Sequence, residues 1–246
     1  MTVPDGWPAG VGRLVLADVD STMAEAARRA DGLAPPVWIM AERQTAGRGR
    51  RGRCWEMPEG NFAATLVMRP GGTAAEAALR SFVAALALHE ACAAATGEAG
   101  RFALKWPNDV LMDGGKLAGI LLERRGETLL VGIGVNLAAA PPREALEPDA
   151  LPPAALAETG TRIAPAAFLD LLAPAFARHE AVMSTRGFGP VREAWLARAA
   201  RLGARITART GAETLEGRFE TVDPAGQLVL ATDQGRRAVA AAEVFL

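Results

Sequence analysis

The sequence predicts an α/β (α+β) protein: a mixed β-sheet with packed helices over residues 1–200, then a small β-barrel over residues 201–246. Three observations carry that expectation. Apolar runs of strand length alternate with Ala-rich stretches of helical period as far as about Ala200. From about Leu202 the pattern changes to short β segments parted by Thr210-Gly211, Asp223 to Gly226 and Asp233 to Gly235. Half of the residues are hydrophobic and 22% are charged, which suits a packed core and argues against a disordered chain.

The elements follow in order. Arg13 to Ala17 reads as a strand, and Ser21 or Thr22 caps a helix running to about Ala30. After a turn over Gly32 to Pro36, Val37 to Ala41 and Phe62 to Met68 read as strands, separated by an arginine- and glycine-rich loop. Thr73 caps a helix to about Thr96, in which Leu79, Phe82, Val83 and Leu86 form one apolar face. Its most apolar stretch, Phe82 to Leu88, is broken by His89 and Glu90 and is far short of a bilayer span. Short strands follow at Phe102 to Lys105, Val110 to Met112, Leu117 to Glu123 and Thr128 to Val135, with Gly114-Gly115 and Arg125 to Glu127 as turns. The Pro-rich stretch from Ala138 to Gly160 reads as a loop, and helices follow over Pro165 to Ser184 and Pro190 to Ala200. Strands at Ala204 to Thr210, Thr214 to Val222, Gln227 to Ala231 and Arg236 to Ala240 build the barrel.

Composition excludes several classes. The 27 basic and 28 acidic residues leave a net charge of −1, which does not support a globally basic nucleic-acid binder. Two cysteines, Cys54 and Cys92, are too few for a disulfide scaffold or a Cys-built zinc site. Cys92 reads as core, whereas Cys54 lies beside cations that favour a thiolate. His89 and His179 fit no H-E-x-x-H pattern and read as helix side chains. Met1 is followed by Thr2, Pro4, Asp5 and Gly6 rather than a basic and then apolar segment, so no signal peptide is expected and a soluble cytoplasmic protein is.

Lysine is the scarce cation: the chain has only Lys105 and Lys116, within twelve residues of each other. A compact ammonium and a planar guanidinium are not interchangeable, so a general bias toward Arg does not account for this clustering. Lys105-Trp106-Pro107-Asn108-Asp109 is the most unusual segment. Proline holds Trp106 extended and leaves Asn108 and Asp109 at a turn, with an ammonium for phosphate charge and a carboxylate for donors or a metal-bound water. An ordinary Asn-Asp turn remains open. Lys116 begins an apolar strand that either aims its ammonium inward or leaves it on the surface.

Gly47 to Arg53 formally contains G-x-G-x-x-G, but arginines fill the loop and no helix pattern follows it, so a dinucleotide fingerprint is weak. No G-x-x-x-x-G-K-[ST] loop is present, since Leu117 follows Lys116. Arg48, Arg50, Arg51 and Arg53 spaced by glycines suit a polyanion such as a nucleoside triphosphate; a solvated loop is the plain alternative. Gly132 and Gly134 share one face of a strand ending at Asn136, a bare face that suits a flat ligand or a close sheet crossing. Asp18 and Asp20 could hold magnesium, although this spacing is common in loops.

Taken together, Asp20-Ser21-Thr22, Gln44 to Arg53 with Trp55, Lys105 to Asp109, Lys116 to Ile120 and Gly132 to Asn136 closely resemble the biotin protein ligases, in order and spacing over roughly residues 12 to 240. The resemblance implies a class II synthetase-like catalytic unit with an SH3-like C-terminal barrel. It implies ATP, biotin and Mg2+ as ligands, and formation of biotinyl-5′-AMP followed by transfer to one lysine of a biotin carboxyl carrier domain. On the same grounds Lys116, Arg50 and Lys105 are the catalytic candidates. Ser21, Thr22 and Gln44 fall at biotin-pocket positions, and Gly119, Gly132 and Gly134 on the sheet face beside biotin. Gly47, Arg48, Arg50, Arg51, Arg53 and Trp55 belong to the loop closing over the adenylate, with Asn108 and Asn136 on the nucleotide side and Asp109 toward magnesium.

Met23 departs from the pattern, since the family carries Asn there. Only about a dozen residues precede the first strand, so no operator binding and no nucleic-acid partner are expected, nor any membrane; a homodimer is left open. Rival readings are a lipoate or octanoate ligase, a noncatalytic biotin- or nucleotide-binding module, and an RNA-binding module.

Overall fold

The structure is a computed structural model describing residues 6–145 and 150–245. Met1, Thr2, Pro4 and Asp5, used in the readings above, and residues 146–149 of the Pro-rich stretch lie outside the described residues.

Strand β1 (Gly12–Val19) leads through Ser21 into helix α1 (Thr22–Arg29), and the Ser21 hydroxyl accepts from Ala24 N at 3.0 Å. Ser21 is thus the cap, worth about 1 kcal/mol at a helix start. Strands β2 (Val37–Gln44) and β3 (Phe62–Met68) flank the arginine loop. Thr73 makes a capping box with Glu76 over the short helix α2 (Ala74–Ala78), and α3 (Arg80–Thr96) continues from it. The single helix expected from Thr73 is therefore divided at Leu79. Next come β4 (Phe102–Lys105), β5 (Asp109–Met112), β6 (Gly115–Arg125) and β7 (Thr128–Val135). Helices α4 (Pro165–Arg186) and α5 (Phe188–Leu196) precede the C-terminal strands.

One seven-stranded sheet runs in the order β1-β2-β3-β7-β6-β5-β4. Only β1 and β2 are parallel, because α1 carries the chain back between them; hairpins and longer returns make the other pairs antiparallel. The expected mixed sheet is what the chain forms. One face packs on α3 and α4, where Trp38 meets Phe176 edge-on at 5.8 Å and Phe62 meets Phe168 at 5.2 Å. Each such fully buried ring contributes about 2–3 kcal/mol by removal from water. The run Ala74–Thr96 is long and apolar enough to cross a membrane by composition, contrary to the shorter run read from sequence, and 78% of its most apolar 18-residue window is buried. Its apolarity serves the core: α3 is covered almost all round from Arg80 to Leu88 rather than on one face.

The opposite face is covered by α1 at one end, where Met23, Ala26 and Ala30 pack on Val37, Ile39, Val67 and Leu130. Elsewhere it is open, and small residues lie there. Register places Gly132 between Thr65 and Leu121, and Gly134 between Ala63 and Gly119. A floor with little side-chain bulk results, built across β3, β7 and β6.

The second sheet is five-stranded and antiparallel: β8 (Arg205–Arg209), β9 (Thr214–Val222), β10 (Leu228–Thr232), β11 (Gly235–Val239) and β12 (Glu243–Phe245), in the order β11-β10-β9-β8-β12. The three-residue β12 is too short to show an alternating pattern, and sequence reasoning missed it. This sheet is anchored to the first unit where Trp106 Nε1 donates to the Gly226 carbonyl at 3.0 Å. Gly226 has φ +80° and lies against Leu79 and Phe82, so a side chain there would be both strained and crowded.

Candidate active site

A cavity of about 490 Å³ opens above the small-residue floor, within the size usual for small-molecule sites. Every residue given a site role by the family resemblance lines it except Gly47, and the alternative magnesium candidates Asp18 and Asp20 lie outside it. Gly47 serves the loop instead: its carbonyl accepts from Trp55 N at 3.0 Å, and a Cβ on it would stand 2.5 Å from the Trp55 carbonyl oxygen.

The polar end is built by α1 and β2. Gln44 Oε1 accepts from both Thr22 N (2.8 Å) and Thr22 Oγ1 (3.1 Å), while buried Thr65 Oγ1 donates to Thr22 Oγ1 at 3.0 Å. Thr65 is a member that sequence reasoning missed, since a threonine inside an apolar strand gives no signal. Next to it Met23 lies over Gly132: a Cβ there would stand 2.6 Å from Met23 Cε. The Trp55 indole covers Gly134 and touches Gly119, with its Nε1 buried and without a hydrogen-bond partner. The bare face expected to accept a flat ligand is thus already covered in part by the chain's own Met23 and Trp55.

The charged end is built from β5, β6 and the arginine loop. Asp109 Oδ1 lies 2.8 Å from Lys116 Nζ, and its Oδ2 lies 3.8 Å from Lys105 Nζ. Side-chain exposures of 11% for Lys105, 12% for Asp109 and 37% for Lys116 make Lys116 the accessible member. Burial pushes the Lys105 ammonium below the ordinary lysine range, and Asp109 partly offsets that. Lys116 is fixed through its backbone: its N–H donates to the Pro152 carbonyl (2.8 Å) and its carbonyl accepts from Ala154 N (3.0 Å). The Pro-rich loop therefore supports the site. Lys116 Nζ also sits 5.9 Å from the Trp55 ring centroid, within cation–π range.

Arg50 Nη1 donates to Asn108 Oδ1 at 3.2 Å, and Asn108 Nδ2 donates to the Ile120 carbonyl at 2.6 Å, so β6 holds Asn108 and Asn108 aims Arg50. Burial lowers the Arg50 pKa, countered by the nearby Asp109 carboxylate. Asn136 is buried and its Nδ2 donates to the Ala154 carbonyl at 3.1 Å, so part of the amide ties the Pro-rich loop to the sheet. Arg48 is held by a bridge to Cys54, while Arg51 and Arg53 reach Glu243 on β12. Among the described residues six cations line the cavity against the carboxylates of Glu56, Asp109 and Glu243, a balance suited to a polyanion.

Asp109 does not fit a magnesium site. Both of its oxygens face ammonium groups, and among the described residues no three His, Cys, Asp or Glu side chains cluster. Mg2+ asks for carboxylates free to complete an octahedron with phosphates and waters. Asp18 and Asp20 do not supply a second set, since Asp18 is paired with Arg43 and Asp20 with Arg28. Cys92 is buried and its thiol is pushed up to about 12, as suits an inert core residue.

The chain matches the biotin/lipoate A/B protein ligase family over residues 15–138 and the biotin protein ligase C-terminal domain over residues 202–246. It is 57% identical over 237 residues to a biotin–[acetyl-CoA-carboxylase] ligase of Paracoccus denitrificans, spanning 94% of this chain and 99% of that one. The bifunctional ligase/repressor BirA of Bacillus subtilis is 30% identical over 241 residues, spanning 95% and 74% of the two chains. The biotin protein ligase from Aquifex aeolicus, solved in complex with biotin and ATP, superposes with a TM-score of 0.81 at 25% identity, covering 95% of this chain and 97% of that one. The chain belongs to the biotin/lipoate A/B protein ligase family, among the biotin protein ligases.

Proposed function

We propose that this chain activates biotin with ATP and transfers it to a lysine of a biotin carboxyl carrier domain. One observation carries the reading: Arg50, Lys105 and Lys116 converge around Asp109 at one end of a cavity whose other end is an uncharged pocket over the glycine floor. In the first step a carboxylate oxygen of biotin attacks the α-phosphorus of ATP and pyrophosphate leaves. In the second the carrier amine attacks the acyl carbonyl, loses a proton, and AMP leaves with the bonding pair.

Both steps develop negative charge on oxygen, and the fixed cations Lys116 and Arg50 stabilise it with little reorganisation. Buried Lys105 adds charge behind them, and Asp109 holds the two ammonium groups in register. Any magnesium accompanies the triphosphate, and no step is assigned to it. Thr22 and Gln44, fixed by Thr65, offer polar groups to the ring end of biotin, and Gly119, Gly132 and Gly134 leave room for its body. The loop bearing Arg48 and Trp55 covers the nucleotide and keeps water from the mixed anhydride. We also assign residues 1–200 to the catalytic unit and 201–246 to the C-terminal one, in a cytoplasmic protein without a nucleic-acid partner, in keeping with its net charge of −1.

The test is pyrophosphate exchange into ATP with biotin, lipoate or octanoate. Exchange is expected with biotin alone, and Lys116→Ala is expected to lower it by about 100- to 1000-fold, as for loss of one transition-state donor. Exchange driven by lipoate or octanoate and not by biotin would overturn the reading.

A further inference from the structure

We propose that Ser81 is a positioning residue: from α3 it fixes the turn that joins Lys105 to Asp109 and sets Asn108 against Arg50. The inference rests on the ligase reading above for its kinetic consequence, but not for the fixing of the turn.

Ser81 stands in the first turn of α3, buried and outside the cavity lining. A serine or threonine hydroxyl within a helix commonly turns back to the carbonyl four residues earlier. Thr96 in α3 does so with the Cys92 carbonyl at 2.9 Å, and Thr185 in α4 with that of Ala181 at 2.7 Å. Ser81 does not: its Oγ donates to the Pro107 carbonyl at 3.0 Å, 26 positions along the chain. Proline has no N–H, so this carbonyl is the one main-chain hydrogen-bonding group of Pro107, and a core helix holds it. The preceding residue fixes the helix at this level. Buried Arg80 donates from Nη2 to Glu180 Oε1 on α4 at 2.9 Å and from Nη1 to the Glu76 carbonyl at 3.0 Å.

The sheet holds the far side of the same turn. The Asn108 carbonyl accepts from Ile120 N at 2.9 Å, and Asn108 Nδ2 donates to the Ile120 carbonyl at 2.6 Å. That leaves Asn108 Oδ1 to accept from Arg50 at 3.2 Å, while Asp109, the next residue, meets both ammonium groups. Two consecutive residues are thus held from two different elements, Pro107 from α3 and Asn108 from β6. Without the Ser81 hydroxyl, the hydrogen bonds left to Pro107 and Asn108 among the described residues are those with Ile120 and Arg50. The turn can then tilt about β6, and Arg50 and the Asp109–Lys116 pair lose their common reference. A displacement of about 1 Å in a reacting geometry costs up to about 100-fold in rate, so even a fraction of that tilt is measurable. Ser81 reaches this role through the fold alone, since in sequence it is one small residue between Leu79 and Phe82 of the apolar face.

The experiment uses the full chain and two readouts. The first, without ligand, is hydrogen exchange of the Ile120 amide, which donates to Asn108, with the amides of Ala84 to Leu88 in α3 as a fold reference. The second is the kcat and biotin KM of pyrophosphate exchange into ATP. Ser81→Ala is expected to speed Ile120 exchange and to lower kcat by about five- to tenfold each, the scale of one lost hydrogen bond, with the biotin KM within about twofold. A role confined to the helix predicts neither change, because alanine is the better helix former. Should Ser81→Ala loosen α3 itself, Ser81→Thr and Ser81→Val decide, since these two side chains share a shape and differ in the hydroxyl. Ser81→Thr is expected to keep most of the Ile120 protection and of kcat, and Ser81→Val to lose both. Unchanged Ile120 exchange or unchanged kcat in Ser81→Ala with α3 protection intact overturns the proposal, as does Ser81→Thr performing no better than Ser81→Val. Ile120 protection is read without turnover, so a wild type lacking biotin-dependent pyrophosphate exchange sinks the ligase reading and leaves the fixing of the turn separately decided.

Discussion

The sheet floor and the arginine loop both depend on glycine, for opposite reasons. Gly119, Gly132 and Gly134 have ordinary extended backbones in fully paired strands, and what matters is the missing side chain: Cβ atoms would stand 3.3, 2.6 and 2.5 Å from Trp55 or Met23. Gly52 has open space around it, and what matters is its φ of +74°. The floor is rigid because two ladders hold it, so it can set a shape. The loop is fixed by a few local bonds and by ion pairs with half-exposed arginines, so it can yield and close. Binding of the acyl group and ordering of the phosphates are thereby placed on parts of different stiffness.

The largest expected effect breaks the floor. Gly134→Val puts a branched side chain into the Trp55 indole from a strand that cannot retreat. Biotin-dependent pyrophosphate exchange should fall by about 100-fold, the scale of a displacement near 1 Å in a reacting geometry. A variant with near wild-type exchange would show that the floor does not set the pocket. Gly52→Ala touches nothing and only penalises the left-handed tip, by about 1–2 kcal/mol. The ATP KM should rise several-fold while the melting temperature stays nearly constant. A large loss of melting temperature there would mean that the loop belongs to the core.

The same contrast explains what could be read from the chain. Phe62 to Met68 was legible as a strand to the residue because a continuous apolar run is bounded by breakers, and the strand occupies those positions. The lysine pair, the arginine loop and Gly132 with Gly134 were legible because unusual residues stand close together in sequence. Contacts joining distant segments were not. Nothing local marks Glu243 as the partner of Arg53, 190 positions earlier, nor Pro152 as the acceptor of the Lys116 N–H. The place of Met23 was visible as a departure at its motif, but its seat over Gly132 follows only from how α1 crosses the sheet. The helix beginning after Thr73 was read with one apolar face because its Ala-rich sides carry little hydrophobic signal, yet small residues are what let α3 be covered on nearly all sides.

The smallest expected effect lies outside both regions and serves as their control. Burial is the main cause that lowers the pKa of His89 and of His179 below the ordinary 6.5. Below that value the unfolded chain binds more protons than the folded one, so stability falls with pH, until the folded imidazoles protonate as well. Thermal unfolding followed across that window should show the decline, and His89→Gln should flatten part of it. Neither histidine lines the cavity, so the ATP KM of the folded enzyme should not follow this titration.

The central claim is that Lys116 and Arg50 act together on one acyl-phosphate above the glycine floor. A crystal structure of this chain with a non-hydrolysable biotinyl-adenylate analogue tests it most directly. The account expects the phosphate oxygens within hydrogen-bonding distance of Lys116 Nζ and the Arg50 guanidinium, with the biotin rings between Thr22 and Gly132. An analogue bound with its phosphate away from both cations, or outside this cavity, would contradict it.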